Sequence, residues 1–165
     1  MAEPFSIQTL PAAKSGRYET LLAEINAVLD GEDNHVARMA TVTAMLAAAF
    51  KSFFWTGFYV VDANRPNELV IGPYQGTLGC LRIAFGRGVC GAAAAARKTV
   101  IVADVHAFPD HIVCDSRSRS EIVIPVFDAK GELIAVLDVD STELATFNDE
   151  DKVGLEAIVR HAFGN

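Results

Sequence analysis

Six short β-rich runs between residues 55 and 141, enclosed by helical patterns on both sides, constrain this chain more than any other feature. The runs are WTGFYVV, ELVIGPY, CLRIAF, TVIVAD, EIVIPVF and LIAVLDV; turn formers at Asn64-Arg65-Pro66-Asn67, several glycines and Asp128-Ala129-Lys130-Gly131 divide them. Runs of this composition between turn residues predict about six strands. The DAKGE turn makes the last two a hairpin. Apolar residues recur at helical spacing over residues 15–29 and 35–50, with a break at Gly31-Glu32-Asp33-Asn34, and residues 88–97 form a short alanine-rich stretch of helical character. Residues 148–163 set Val153, Leu155, Ile158, Val159 and Ala162 behind acidic Asp149, Glu150 and Asp151, which suit a helix N-terminus. Helices gathered at both ends of a mainly antiparallel strand set must cover one face of the sheet, so the class is α+β.

A length of 165 residues with 51% hydrophobic residues predicts a single domain over residues 1–165, with an irregular start over about 1–14. No apolar run approaches the roughly 20 residues needed to span a bilayer. The first ten residues, MAEPFSIQTL, lack the basic start and apolar stretch of a secretory signal, so a soluble, cytoplasmic protein without membrane attachment is expected. A net charge of −7 opposes nucleic-acid binding, and the only local basic feature is the pair Arg117 and Arg119. Three cysteines, an odd number, argue against a disulfide-stapled secreted scaffold and leave metal binding, redox chemistry or simple burial.

The connection over residues 104–120 is long for a compact fold and holds Cys114, His106, His111, Arg117, Arg119 and several acids, which suggests function. Structural zinc sites usually show close cysteine pairs and four ligands. Here Cys80 precedes Cys90 by ten residues and Cys114 follows by 24, and His106 or His111 would have to supply the fourth ligand. Redox chemistry suits the segment better. His111, Arg117 and Arg119 favour a Cys114 thiolate, Asp110 and Asp115 oppose it, and two further cysteines are candidate resolving thiols. In LIAVLDVDS, Asp138 and Asp140 project to one face of a strand. A solvated polar face is the commoner explanation for such acids, and the same holds for Glu121. Yet Val136, Leu137 and Val139 surround the aspartates, where carboxylates are costly unless paired with a cation such as an α-ammonium group. Trp55 is either core or the wall of a small pocket.

Taken together, WTGFY, GPYQG before Cys80, GRGVCG with Cys90, FPDHIVCDSRSRSEIVIPV with Cys114, and GELIAVLDVDS resemble the free methionine-R-sulfoxide reductases, a family of stand-alone GAF domains. The resemblance covers about residues 55–141 and implies a GAF-like sheet. It implies that Cys114 is the nucleophile that becomes a sulfenic acid, that Cys80 resolves it, and that Cys90 can also pair with the nucleophile. It assigns Trp55, Tyr59, Glu121, Asp138 and Asp140 to the substrate pocket, free L-methionine-R-sulfoxide as substrate and thioredoxin as reductant. No metal or organic cofactor is needed. A sulfoxide becomes a good electrophile only when its oxygen is protonated, and Glu121 or Asp138 can serve if desolvation raises its pKa. Two positions depart from the pattern: Asp110 stands where glycine is expected before His111, and Gly79 precedes Cys80 and is expected to loosen the resolving segment. A ligand-sensing GAF domain and a zinc domain are the alternatives, and a homodimer through the two early helices is left open.

Overall fold

The structure, a computed structural model, describes residues 10–164. The strands are β1 (Trp55–Asp62), β2 (Arg65–Gln75), β3 (Arg82–Ala84), β4 (Val100–Val102), β5 (Ser120–Phe127) and β6 (Leu133–Ser141). They form one sheet of order β3-β2-β1-β6-β5-β4, in which every neighbouring pair is antiparallel. Helices α1 (Lys14–Val28), α2 (His35–Ala49), α3 (Gly88–Ala96) and α4 (Asp149–Phe163) complete the α+β architecture expected from the sequence. The irregular start over about 1–14 lies mostly outside the described residues, and α1 begins at Lys14.

The period-two pattern of the strands sorts side chains into two cores. On one face, Phe58, Ile122, Ile124, Val126, Leu137 and Val139 pack against Leu21, Ile25, Leu46, Leu155 and Ile158 of α1, α2 and α4. On the other, Trp55, Tyr59, Leu69, Val123 and Val136 meet Val89, Cys90 and Ala93 of α3 and the segment holding Val105. The terminal helices therefore share one face, as predicted. The single short helix and the long connections cover the opposite face.

Local chemistry fixes the element ends. Asn34 caps α2 by accepting a hydrogen bond from the Ala37 N–H at 3.0 Å. At α4, the Asn148 side chain accepts from the Glu150 and Asp151 N–H groups, while Asp151 accepts from the Asn148 N–H at 2.9 Å, a capping box. The β5–β6 hairpin turns through Asp128, whose carboxylate accepts from the Lys130 and Glu132 N–H groups, and through Gly131 at φ 78°. The break expected at residues 64–67 is narrower than predicted: Asp62 pairs with Arg65, so Ala63 and Asn64 alone form the turn. Pro66 lies within β2 where the β1–β2 register shifts, a place where its missing N–H costs no ladder bond. Cys80 lies outside β3, in the connection that precedes it.

Candidate active site

Register explains how three acids meet. Glu121 of β5 lies directly opposite Asp140 of β6, and Asp140 opposite Trp55 of β1; Asp138 lies opposite Gly57, and Val136 opposite Tyr59. Residues opposite one another in antiparallel strands share a face, so Glu121, Asp138, Asp140, Trp55 and Tyr59 all project toward α3. Gly57 is required here. A Cβ at that position would strike the Tyr74 side chain and come within 2.8 Å of the Trp55 ring. In its absence, Trp55 stacks on Tyr59 with ring centroids 5.7 Å apart and on Tyr74 at 5.1 Å.

These residues line a cavity of about 40 Å³ together with Cys90 and Val89 from the first turn of α3, Arg87 and Gly88 before them, and His111, Ile112, Cys114, Asp115 and Ser118 from the long connection. Cys80 reaches the same place through a disulfide to Cys114, with Cα atoms 5.3 Å apart. All eight residues singled out in the sequence thus converge. Cys90 is free and buried, its Sγ 3.9 Å from Glu121 Oε1.

The carboxylates are not a solvated face, since Glu121 is 5% exposed and Asp138 6%. Burial pushes the Glu121 carboxyl well above the usual range, and the charges of Asp138 and Asp140 push it further. Asp140 rises for the same reasons, against a hydrogen bond from Ser118. Asp138 is raised to about 6, with Glu121 and Cys90 hydrogen-bonded to it and holding it down. Burial is the cause of the rise at Asp138, as it is at its two neighbours. Asp138 Oδ1 is buried without a hydrogen-bond partner. Burial likewise keeps Cys90 a neutral thiol, aided by the surrounding acids. His111 Nε2 lies 3.9 Å from Glu121 Oε2, and burial lowers the pKa of that imidazole.

A second network positions the disulfide loops. Trp55 Nε1 donates to the Thr77 carbonyl at 2.9 Å, the Thr77 hydroxyl donates to Asp115 Oδ2 at 2.7 Å, and Arg117 grips Asp115 through Nε and a terminal nitrogen at 3.0 and 2.8 Å. The Arg117 guanidinium also lies 4.8 Å from the Phe54 ring centre. Arg117 and Thr77 drive the Asp115 carboxyl far below its ordinary range. Arg117, read from sequence as a cation beside Cys114, is instead committed to Asp115. It holds the Asp115 carboxylate that accepts from Thr77, and that Thr77–Asp115 bond ties the segment carrying Cys114 to the one carrying Cys80.

Residues 20–162 match the GAF domain family. The chain is 48% identical to GAF domain-containing protein A of Dictyostelium discoideum over 97% of this chain and 98% of that protein. It is 42% identical to the free methionine-R-sulfoxide reductase of Escherichia coli, over 88% of this chain and 86% of that one. The solved structure of the free methionine-R-sulfoxide reductase of Neisseria meningitidis in complex with its substrate superposes with a TM-score of 0.89 at 46% identity, covering 98% of this chain and 92% of that chain. This chain belongs to the free methionine-R-sulfoxide reductase family.

For a member of that family, the departures at Asp110 and Gly79 have definite structural answers. Asp110 adopts φ 55°, the left-handed conformation that glycine takes most readily and that aspartate tolerates better than most residues, so the bend before His111 is kept. Gly79 does not loosen its segment. A Cβ there would lie 2.8 Å from Ile71, 2.9 Å from the Tyr59 hydroxyl and 3.1 Å from Trp55, so its lack of a side chain lets the Cys80 loop close on the aromatic wall. The sequence reading missed Arg87, Gly88, Ile112 and Ser118 as pocket residues. Gly88 carried a signal in GRGVCG: at φ 60° it packs where a Cβ would meet Ile112 at 3.1 Å. Among the described residues, no helix is long and apolar enough to cross a membrane.

Proposed function

We propose that this chain reduces free L-methionine-R-sulfoxide to methionine, with Cys114 as nucleophile, Cys80 as resolving thiol and an external dithiol, thioredoxin, as reductant. One observation carries the proposal: the Cys80–Cys114 disulfide borders a pocket walled by Trp55 and Tyr59 and lined by three acids, one with a buried, unpartnered oxygen. The substrate ammonium pairs with Asp138. Its carboxylate faces the first N–H groups of α3 near Gly88 and Val89, which have no partner within the helix. A methionine sulfoxide within a peptide lacks that ammonium, which accounts for selectivity toward the free amino acid.

The carboxyl of Glu121, kept protonated by burial and by its acidic neighbours, donates to the sulfoxide oxygen as the Cys114 sulfur attacks the substrate sulfur. The Cys114 thiol and the sulfoxide become a sulfenic acid and a thioether: the substrate sulfur gains two electrons and the Cys114 sulfur loses two. Cys80 then attacks the sulfenic sulfur, an S–S bond forms, and water leaves. Two exchange steps with the external dithiol restore both thiols and oxidise that partner to its disulfide. Cys90 is buried and neutral, which disfavours it as the resolving group.

Purified protein coupled to thioredoxin, thioredoxin reductase and NADPH should turn over free L-methionine-R-sulfoxide, with little activity on the S epimer or on peptide-bound sulfoxide. Equal turnover of the epimers, or full activity in Cys114→Ser, would overturn the assignment. Cys80→Ser should form one equivalent of methionine and then stall. If Cys90→Ser stalls in its place, Cys90 is the resolving thiol.

A further inference from the structure

Cys90 Sγ, a carboxylate oxygen of Glu121 and one of Asp138 all lie within 4.8 Å of one another, and all three residues are buried. They sit on rigid elements: the first turn of α3 and the central strands β5 and β6. A second, independent observation singles out the cluster as short of a ligand, because Asp138 Oδ1 is buried with no hydrogen-bond partner. His111 Nε2, 3.9 Å from Glu121 Oε2, stands at its edge as a fourth donor.

We infer that Cys90, Glu121 and Asp138 form a site for a borderline divalent cation of the zinc class, and that the ion competes with the substrate's ammonium group for Asp138. The donor set selects the ion. Calcium and magnesium require six or more oxygen ligands, whereas one thiolate, two carboxylates and an imidazole suit a four-coordinate zinc-like ion. Size agrees as well. The cavity of about 40 Å³ that the cluster lines has room for an ion with a water or two. The site is distinct from a three-cysteine zinc centre, since Cys80 and Cys114 are bonded to each other and only Cys90 is free. Binding displaces the thiol proton of Cys90 and any carboxyl protons to solvent, and no electrons move. The competition half of this inference rests on the amino-acid pocket proposed above; the binding half does not.

Cobalt(II) is the probe. In the disulfide form Cys90 is the sole thiol, so a thiolate-to-cobalt charge-transfer band reports this residue alone. One equivalent should bind and be displaced by zinc. The band should vanish in Cys90→Ser, and affinity should fall at least about tenfold in the near-isosteric Asp138→Asn, each variant being checked for native circular dichroism. No band, a band that survives Cys90→Ser, or unchanged affinity in Asp138→Asn overturns the site. In the double variant Cys80→Ser/Cys114→Ser, where Cys90 is again the only thiol and no disulfide closes the pocket, free methionine should raise the apparent cobalt dissociation constant. If methionine binds the metal-free double variant calorimetrically but leaves cobalt affinity unchanged, the competition is refuted. If methionine does not bind that variant at all, the amino-acid pocket fails while the metal site stands on its own spectrum.

Discussion

At the scale of single residues, the site depends on positions where a side chain is held in an unusual state. Asp110 occupies left-handed backbone in place of the expected glycine. Asp110→Gly should therefore keep activity, whereas Asp110→Val should lose about 1–2 kcal/mol of stability, read as a lower urea midpoint at constant slope. Gly79→Ala pushes a methyl group against the Tyr59 hydroxyl and Trp55, so KM should rise several-fold while the Cys80–Cys114 disulfide still forms. Asp138 adds a pH signature. Its carboxyl is raised from 3.8 to about 6 in the fold, so the folded state holds this proton more tightly than the unfolded chain, and Asp138 withdraws stability as pH rises from about 4 to 6. Asp138→Asn should consequently be more stable than the parent above pH 6, the difference shrinking toward pH 3.8. Affinity for an ammonium ligand runs the opposite way, strengthening as pH rises through about 6. The three cysteines, the two aromatic residues and the acids were legible from motif and resemblance. That Arg117 serves Asp115 was not, because both lie in one polar loop whose pairings depend on folded geometry.

Among the elements, α1 and α4 meet through one buried acid. Asp151 is fully buried, accepts from Tyr18 Oη at 2.8 Å and Lys14 Nζ at 2.6 Å, and also closes the Asn148 capping box. Asp151→Ala removes the cap's second half and leaves Tyr18 without its partner, a loss of about 3 kcal/mol from a lost cap and an unsatisfied buried donor, measurable by urea unfolding. From sequence, Asp151 read only as an acid favourable at a helix start; its bond to Tyr18 spans 133 residues and no local pattern encodes it. Helix limits and the β5–β6 hairpin were readable because periodicity and the DAKGE turn are local. The short strands β3 and β4 were overestimated: CLRIAF and TVIVAD have strand composition, but only three residues of each find a partner.

In the whole molecule, two cores on opposite faces of one sheet divide the work. The face under α1, α2 and α4 is mainly apolar, with the buried hydroxyls of Thr56, Ser120 and Ser141 among its side chains, whereas the face under α3 sets acids, thiols and aromatic rings among its apolar contacts. The split follows from strand alternation and register, and for that reason the face shared by Asp138 and Asp140 could be assigned from LIAVLDVDS alone. The pocket they belong to also needed the pairing of β6 with β1, which, unlike the β5–β6 hairpin, sequence order does not reveal. The bond between Cys80 and Cys114 at the edge of the pocket has one more consequence. It ties together the two loops that flank the site, so the oxidised protein should bind methionine more weakly by calorimetry than the same protein reduced by a dithiol. The bond that records a completed turnover thus also acts as an interlock. One reactant must depart before the other can engage, and initial-rate plots at several reductant concentrations should be parallel lines.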